Sequence, residues 1–135
     1  MPRSTRAAFL ILVLVQAAHS VEEYSTRLYD RLAPAHYVSD LIGSDRRIGF
    51  AIFNIALVAF GLWCCFGPVR DGTRGGPALA WLWAVLEFVN GIAHLVWAAI
   101  AGSYRPGLWT APLLVVAALR LAWSLRARHA ESGPA

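Results

Sequence analysis

The stretch Gln16-Ala17-Ala18-His19-Ser20-Val21-Glu22-Glu23 decides how this chain folds, because it ends the first apolar segment on three ionisable residues. His19, Glu22 and Glu23 stand at i, i+3 and i+4. On a continuing helix they share one face, with Gln16 a turn earlier on the same side. The apolar part alone, Ala7 to about Val21 behind Arg3 and Arg6, is short for a membrane crossing, which takes about 20 residues. It becomes long enough only if the helix carries on through His19 to Glu23. A rival reading is a cleaved signal peptide, with Ala18-His19-Ser20 as a small-x-small cleavage site. Cleavage there would remove His19 and split the group.

Composition supports the membrane reading. Of 135 residues 58% are hydrophobic and 15% charged, far from the soluble average. The chain is expected to be a single membrane domain, 1–135. The net charge of +4 comes from arginine alone, because there is no lysine. The arginines lie between apolar runs and form no stripe, which argues against a nucleic-acid partner. Cys64 and Cys65 are neighbours inside an apolar run and cannot build a disulfide framework, so they read as small buried hydrophobes.

Working outward, the apolar runs predict four spans, about 7–23, 48–66, 78–102 and 108–125. Gly67-Pro68 ends the second, Val69 to Pro77 is a tight turn, and Pro106-Gly107 forms the turn before the fourth. Between the first two spans, Leu28, Tyr29 and Leu32 at helical spacing suggest a short interfacial helix followed by a loop, with Pro34 and Gly43 as breakers. The expected fold is an all-α membrane protein, an antiparallel four-transmembrane-helix bundle. Arginine bias favours cytoplasmic termini: Arg3, Arg6, Arg70, Arg74, Arg126 and Arg128 stand against Arg27, Arg31, Arg46, Arg47 and Arg105. Trp63, Trp81, Trp83 and Trp123 would belt the inner interface, with Trp97, Trp109 and Tyr104 at the outer one.

Alternating helices bring the polar residues together whichever way the bundle faces. His19, Glu22 and Glu23 end the first span, Asn54 lies two turns into the second, Asn90 and His94 lie near the end of the third, and Thr110 begins the fourth. At about 1.5 Å per residue, Asn54 and His94 both fall roughly 10 Å inside one interface. Glu87, Asn90 and His94 form a stripe at i, i+3 and i+7, and Gly91 lets a neighbouring helix approach. Ligands one turn apart resemble the carboxylate-plus-histidine sites of helical bundles, although the order is not the His-Glu-x-x-His of zinc peptidases. Glu87, nearest mid-membrane, needs a proton or a partner. Arg120 is one candidate, but it could equally snorkel to the interface.

Three motifs in order, His19-x-x-Glu22-Glu23, Asn90-x-x-x-His94 and Tyr104-x-Pro106-Gly107-x-x-Thr110, resemble the HXXEE family of small bacterial integral membrane proteins. The resemblance covers nearly the whole chain. It implies that His19, Glu22, Glu23, Asn90 and His94 are signature residues, it weighs against the signal peptide, and it implies positions rather than a reaction. Glu87 and Asn54 match none of the motifs, and their supporting roles rest on helical spacing.

The leading expectation is a metal-dependent enzyme in the bacterial cytoplasmic membrane, acting on a lipophilic small molecule that arrives through the bilayer. His19, Glu22, Glu23 and His94 would ligate a divalent metal. Glu22, Glu23, His94 and Asn90 would form the reacting centre, supported by Asn54, Glu87 and Thr110. Alternatives are a metal-free acid–base enzyme, a proton or cation transporter, and a non-catalytic accessory protein. The plainer reading of His19, Glu22 and Glu23 is a hydrated helix end, and that of His94 is a histidine bonded to Asn54 or Asn90 across the bundle. Four short spans make a homo-oligomer plausible.

Overall fold

The computed structural model describes residues 1–131. Helix α1 covers Arg3–Ser25, α2 Ala33–Ile42, α3 Arg46–Cys64, α4 Gly76–Ala101 and α5 Ala111–Glu131, with no strand among the described residues. Helix α1 runs unbroken through Ala18, His19 and Ser20, so the motif is helical throughout. Its buried positions, including Phe9, Leu12, Val13, Gln16, His19, Ser20 and Glu23, recur every three or four residues. That stripe faces inward because α1 packs against α3 on one side and α5 on the other. Helices α3 and α5 run against α1: Ser20 near the end of α1 meets Asn54 near the start of α3, and Glu22 meets Thr110 just before α5.

Each segment begins where local chemistry allows. Pro34 lies in the first turn of α2, where its missing N–H costs nothing. The expected helix around Leu28, Tyr29 and Leu32 is therefore only a single 3₁₀ turn, Leu28–Asp30, and the true helix follows it. Asp45 caps α3, its carboxylate accepting from the backbone N–H groups of Arg47 and Ile48 at 2.9 and 3.3 Å. Gly67-Pro68 does not end this helix as expected. The coil widens into a π turn, Cys65–Val69, which accommodates Pro68 without a break. Helix α5 starts at Ala111 rather than 108, because the three preceding residues remain in the turn.

One half of the molecule is a dry core, with Phe9, Leu12, Val13, Trp83, Leu114 and Leu121 fully buried. Trp83, expected in an interfacial belt, lies in this core with its ring edge-on to Phe9 at 6.0 Å. It fits because Gly61 has no side chain, and a Cβ there would fall 2.8 Å from the Trp83 ring. The outside is apolar, with Ile55, Val85, Val89, Ile100 and Val116 exposed. Among the described residues, α1, α3 extended to Val69, and α4 are long and apolar enough to cross a membrane. Helix α5, with Arg120, Arg126 and Arg128 in its 21 residues, is not one of the three. The side chain of Arg128, weighed above for orientation, lies outside the described part.

Helices α4 and α5 approach closely at Gly91, where a Cβ would lie 2.7 Å from Val115 Cγ2 and 3.0 Å from the Ala111 carbonyl. Gly91→Leu should therefore lower thermal stability in detergent by the equivalent of about 1–3 kcal/mol. Val89→Leu, on the exposed face of the same helix, should leave the melting temperature within error.

Candidate metal and substrate site

His19, Glu23 and His94 converge in the half of the molecule opposite the dry core, all three buried. Glu23 Oε1 stands 3.3 Å from His19 Nε2 and 3.0 Å from His94 Nε2. The two imidazoles meet edge to face with centroids 4.8 Å apart. Each ring is fixed through its other nitrogen. His94 Nδ1 lies 2.6 Å from the Pro106 carbonyl, which can only accept, so Nδ1 carries the proton. His19 Nδ1 lies 2.6 Å from Thr110 Oγ1, whose single hydrogen is donated to Glu22 Oε2 at 2.6 Å. Thr110 must accept from His19, so that Nδ1 is protonated too. In the neutral rings both Nε2 lone pairs then face Glu23.

The donor set fits a metal. A tetrahedral ion with bonds of about 2.0–2.2 Å separates its ligand atoms by roughly 3.3 Å, close to the two distances observed. All three ligand atoms lie within 4.8 Å of one another, and His19 Nε2 is buried without a hydrogen-bond partner. Tying the distal ring nitrogen to an acceptor is the usual second layer of support for a metal-binding histidine. Among the described residues this trio can hold a metal ion.

Glu22, expected among the ligands, does not join the trio. On a helix neighbouring residues diverge by about 100°, and where Glu23 turns to His94, Glu22 turns to the start of α5. Its oxygens accept from the Trp109 N–H at 3.1 Å, the Thr110 N–H at 2.9 Å, the Thr110 hydroxyl and the Tyr104 hydroxyl at 2.7 Å. This carboxylate caps a helix other than its own. Asn54 is also elsewhere. It accepts from Ser20 Oγ at 2.6 Å and donates to the Phe50 carbonyl at 3.0 Å, stitching α1 to α3 and not bonding His94. Glu87 and Asn90 pair loosely at 3.5 Å, whereas Arg120 is exposed and makes no ion pair with Glu87.

Beside the trio lies a cavity of about 340 Å³, lined by Glu23, His94, Gln16, Glu87 and Asn90 on its polar side. Phe50, Phe53, Leu57 and Leu86 form apolar walls, and Leu28, Leu32 and Val38 close it towards α2. It lies between α3 and α4, which pack against each other far less than α3 packs on α2 or α4 on α5.

Gly107, which spacing alone marks only as a turn, is a site residue by its smallness. At φ +86° it is in the left-handed region, and a Cβ would fall 2.6 Å from His94 Nδ1 and 2.8 Å from His19 Cε1. Pro106 supplies the carbonyl that orients His94. The only sequence signal for either was their place in the motif running from Tyr104 to Thr110. The family profile described as "protein of unknown function with HXXEE motif" matches residues 10–121. The chain belongs to the HXXEE family. Neither the curated proteins nor the solved structures yield a match. Within the family motif the histidine and second glutamate thus enter the trio, while the first glutamate clamps α5.

Two outcomes follow from this geometry. Glu22→Gln, which removes the charge that four donors share, should lower stability by about 2 kcal/mol in a detergent melt. Burial and the Glu22 carboxylate push the Tyr104 phenol above its ordinary 10.0. Its contribution is complete below that value and lost as pH rises through the raised one, because only the neutral phenol donates to Glu22. Melting temperature should fall more steeply above pH 10 in the parent than in Tyr104→Phe.

Proposed function

We propose that the chain is a four-span integral membrane metalloenzyme in which His19, Glu23 and His94 hold a divalent ion beside a cavity for a lipophilic small molecule. The observation that carries the reading is the pair of histidines whose Nδ1–H groups are committed to Pro106 and Thr110, leaving both Nε2 atoms directed at one carboxylate. Three protein ligands leave room for a further ligand, as in catalytic rather than closed structural sites. When bound, the metal would supply Lewis-acid polarisation of a substrate oxygen.

This chain's residues do the rest. Glu87, buried on the wall of the same cavity, gives up or accepts a proton at its carboxyl oxygens, and Asn90 Nδ2 orients it. Gln16 Oε1, buried without a partner, is free to accept a hydrogen bond from the substrate. The apolar walls take the hydrocarbon part, which enters from the bilayer between α3 and α4. With α5 as the fourth crossing, the arginine-rich ends Arg3, Arg6, Arg70 and Arg126 are cytoplasmic.

A metal-free acid–base enzyme is the second reading, favoured by the 3.0 Å contact of His94 Nε2 with Glu23, which one shared proton would satisfy. Transport finds less support. Below Gln16 the interior between the helices is Leu12, Phe9, Val13 and Trp83, with no continuous polar path among the described residues.

Elemental analysis of the detergent-purified protein separates the first two readings. Near-stoichiometric metal is expected in the parent and a loss of at least tenfold in His94→Ala, with Gly107→Ala reduced because its methyl displaces both rings. Glu22→Gln should lower the metal content less than His94→Ala does, because Glu22 acts on the trio only through the turn before α5. Parent protein that stays metal-free after incubation with zinc, iron and manganese would sink the metal reading and leave the acid–base one.

A further inference from the structure

At the end of the molecule remote from the histidines, three arginines converge on a pocket of about 260 Å³ between the start of α1 and the π turn after α3. From α1 come Arg3, Arg6, Ala7 and Leu10, at i, i+3, i+4 and i+7, which is one stripe of a helix. From the other side come Cys65, Phe66 and Arg70. The widened turn at Pro68 carries Arg70 round beside Cys65 and Phe66 rather than away from them. Positive charge here is nearly unopposed. Arg3 and Arg6 form no ion pair among the described residues, and Arg70 reaches only Asp71, at 4.0 Å with both groups largely exposed. Three of the arginines at the opposite end are partnered: Arg27 pairs with Asp30, Arg46 with Asp40, and Arg47 with the Tyr24 hydroxyl.

The pocket has two chemical halves. Arg3, Arg6 and Arg70 line its rim, and Ala7, Leu10, Cys65 and Phe66 form an apolar wall beside them. Leu10 is two turns beyond Arg3, about 10 Å deeper along the axis. Phe66 is 56% exposed, so the wall faces outward.

We infer that this pocket binds one phospholipid with an anionic headgroup, its phosphate held by Arg3, Arg6 and Arg70 and the start of an acyl chain lying along Leu10 and Phe66. Arginine suits phosphate through its forked, bidentate donors, and basic pockets between helices at a membrane surface take such headgroups. A free phosphate would use the rim and leave the apolar wall uncovered. A zwitterionic lipid would bring its own cation into a pocket that already holds three. The site rests on the membrane-spanning reading and is independent of the metal.

The test compares melting of the full chain in neutral detergent with added phosphatidylglycerol, phosphatidylcholine or inorganic phosphate. Phosphatidylglycerol alone should raise the melting temperature. The triple variant Arg3→Gln/Arg6→Gln/Arg70→Gln should melt like the parent in phosphatidylcholine but lose that shift. In native mass spectrometry its apparent affinity for phosphatidylglycerol should fall roughly a hundredfold, each arginine contributing somewhat less than a factor of ten. Arg27→Gln/Arg46→Gln/Arg47→Gln should keep the shift. Equal shifts from both lipids, a shift reproduced by inorganic phosphate, or a triple variant that still responds would each overturn the site. Release of the protein from membranes by alkaline carbonate would instead overturn the spanning reading beneath it.

Discussion

Glu22 accepts two backbone N–H groups and two hydroxyls from the turn that precedes α5, and through them it decides where that turn sits. The histidine pair depends on this placement. Thr110, held by Glu22, fixes His19, and Pro106, four residues earlier in the same turn, fixes His94. Gly107 lies between them, close enough to both rings that no side chain would fit. One carboxylate that takes no place in the trio therefore sets the tautomer and direction of two imidazoles that do. A buried imidazole free to rotate would offer its lone pair in no particular direction. These two have one direction each.

The molecule separates its polar and apolar business by height. Towards the start of α1 the interior is Phe9, Leu12, Val13, Trp83, Leu114 and Leu121, packed dry. Towards its end the same stripe changes to Gln16, His19, Ser20 and Glu23. Unpaired polar groups at such depth are expensive, and several here have a partner outside their own helix: Ser20 with Asn54, His19 with Thr110, His94 with Pro106. Among the unpartnered buried atoms, His19 Nε2 and Gln16 Oε1 are at or beside the cavity. Helix α1 packs between α3 and α5, so the polar end of its stripe faces the interior.

Where spacing and structure part company, geometry that a one-dimensional pattern omits is responsible. Residues at i, i+3 and i+4 share a broad face, and spacing alone made Glu22 and Glu23 equivalent. The 100° between neighbours was enough to send one to α4 and the other to the turn before α5. Trp83 looked interfacial by its neighbours Trp81 and Trp63, but Gly61 opened a place for it in the core. Pro34 and Pro68 looked like breakers, yet the first begins a helix and the second is absorbed by a π turn. In each case the deciding partner is distant in sequence or is a backbone atom with no side-chain signal.

By itself, the amino-acid sequence determined that the described chain is helical, that its apolar runs are long enough to cross a membrane, that it carries the HXXEE signature, and that His19, Glu23 and His94 fall at one depth. Helical periodicity and hydrophobicity are local, and these properties follow from them. Only the tertiary structure decided that His19, Glu23 and His94 face one another without Glu22, that Glu87 and Asn90 line a cavity beside them, and that a glycine and a proline carbonyl hold the rings in place. Those choices depend on how four long helices are rotated and on where the turn before α5 is anchored, and rotation is settled by contacts between residues as much as 91 positions apart.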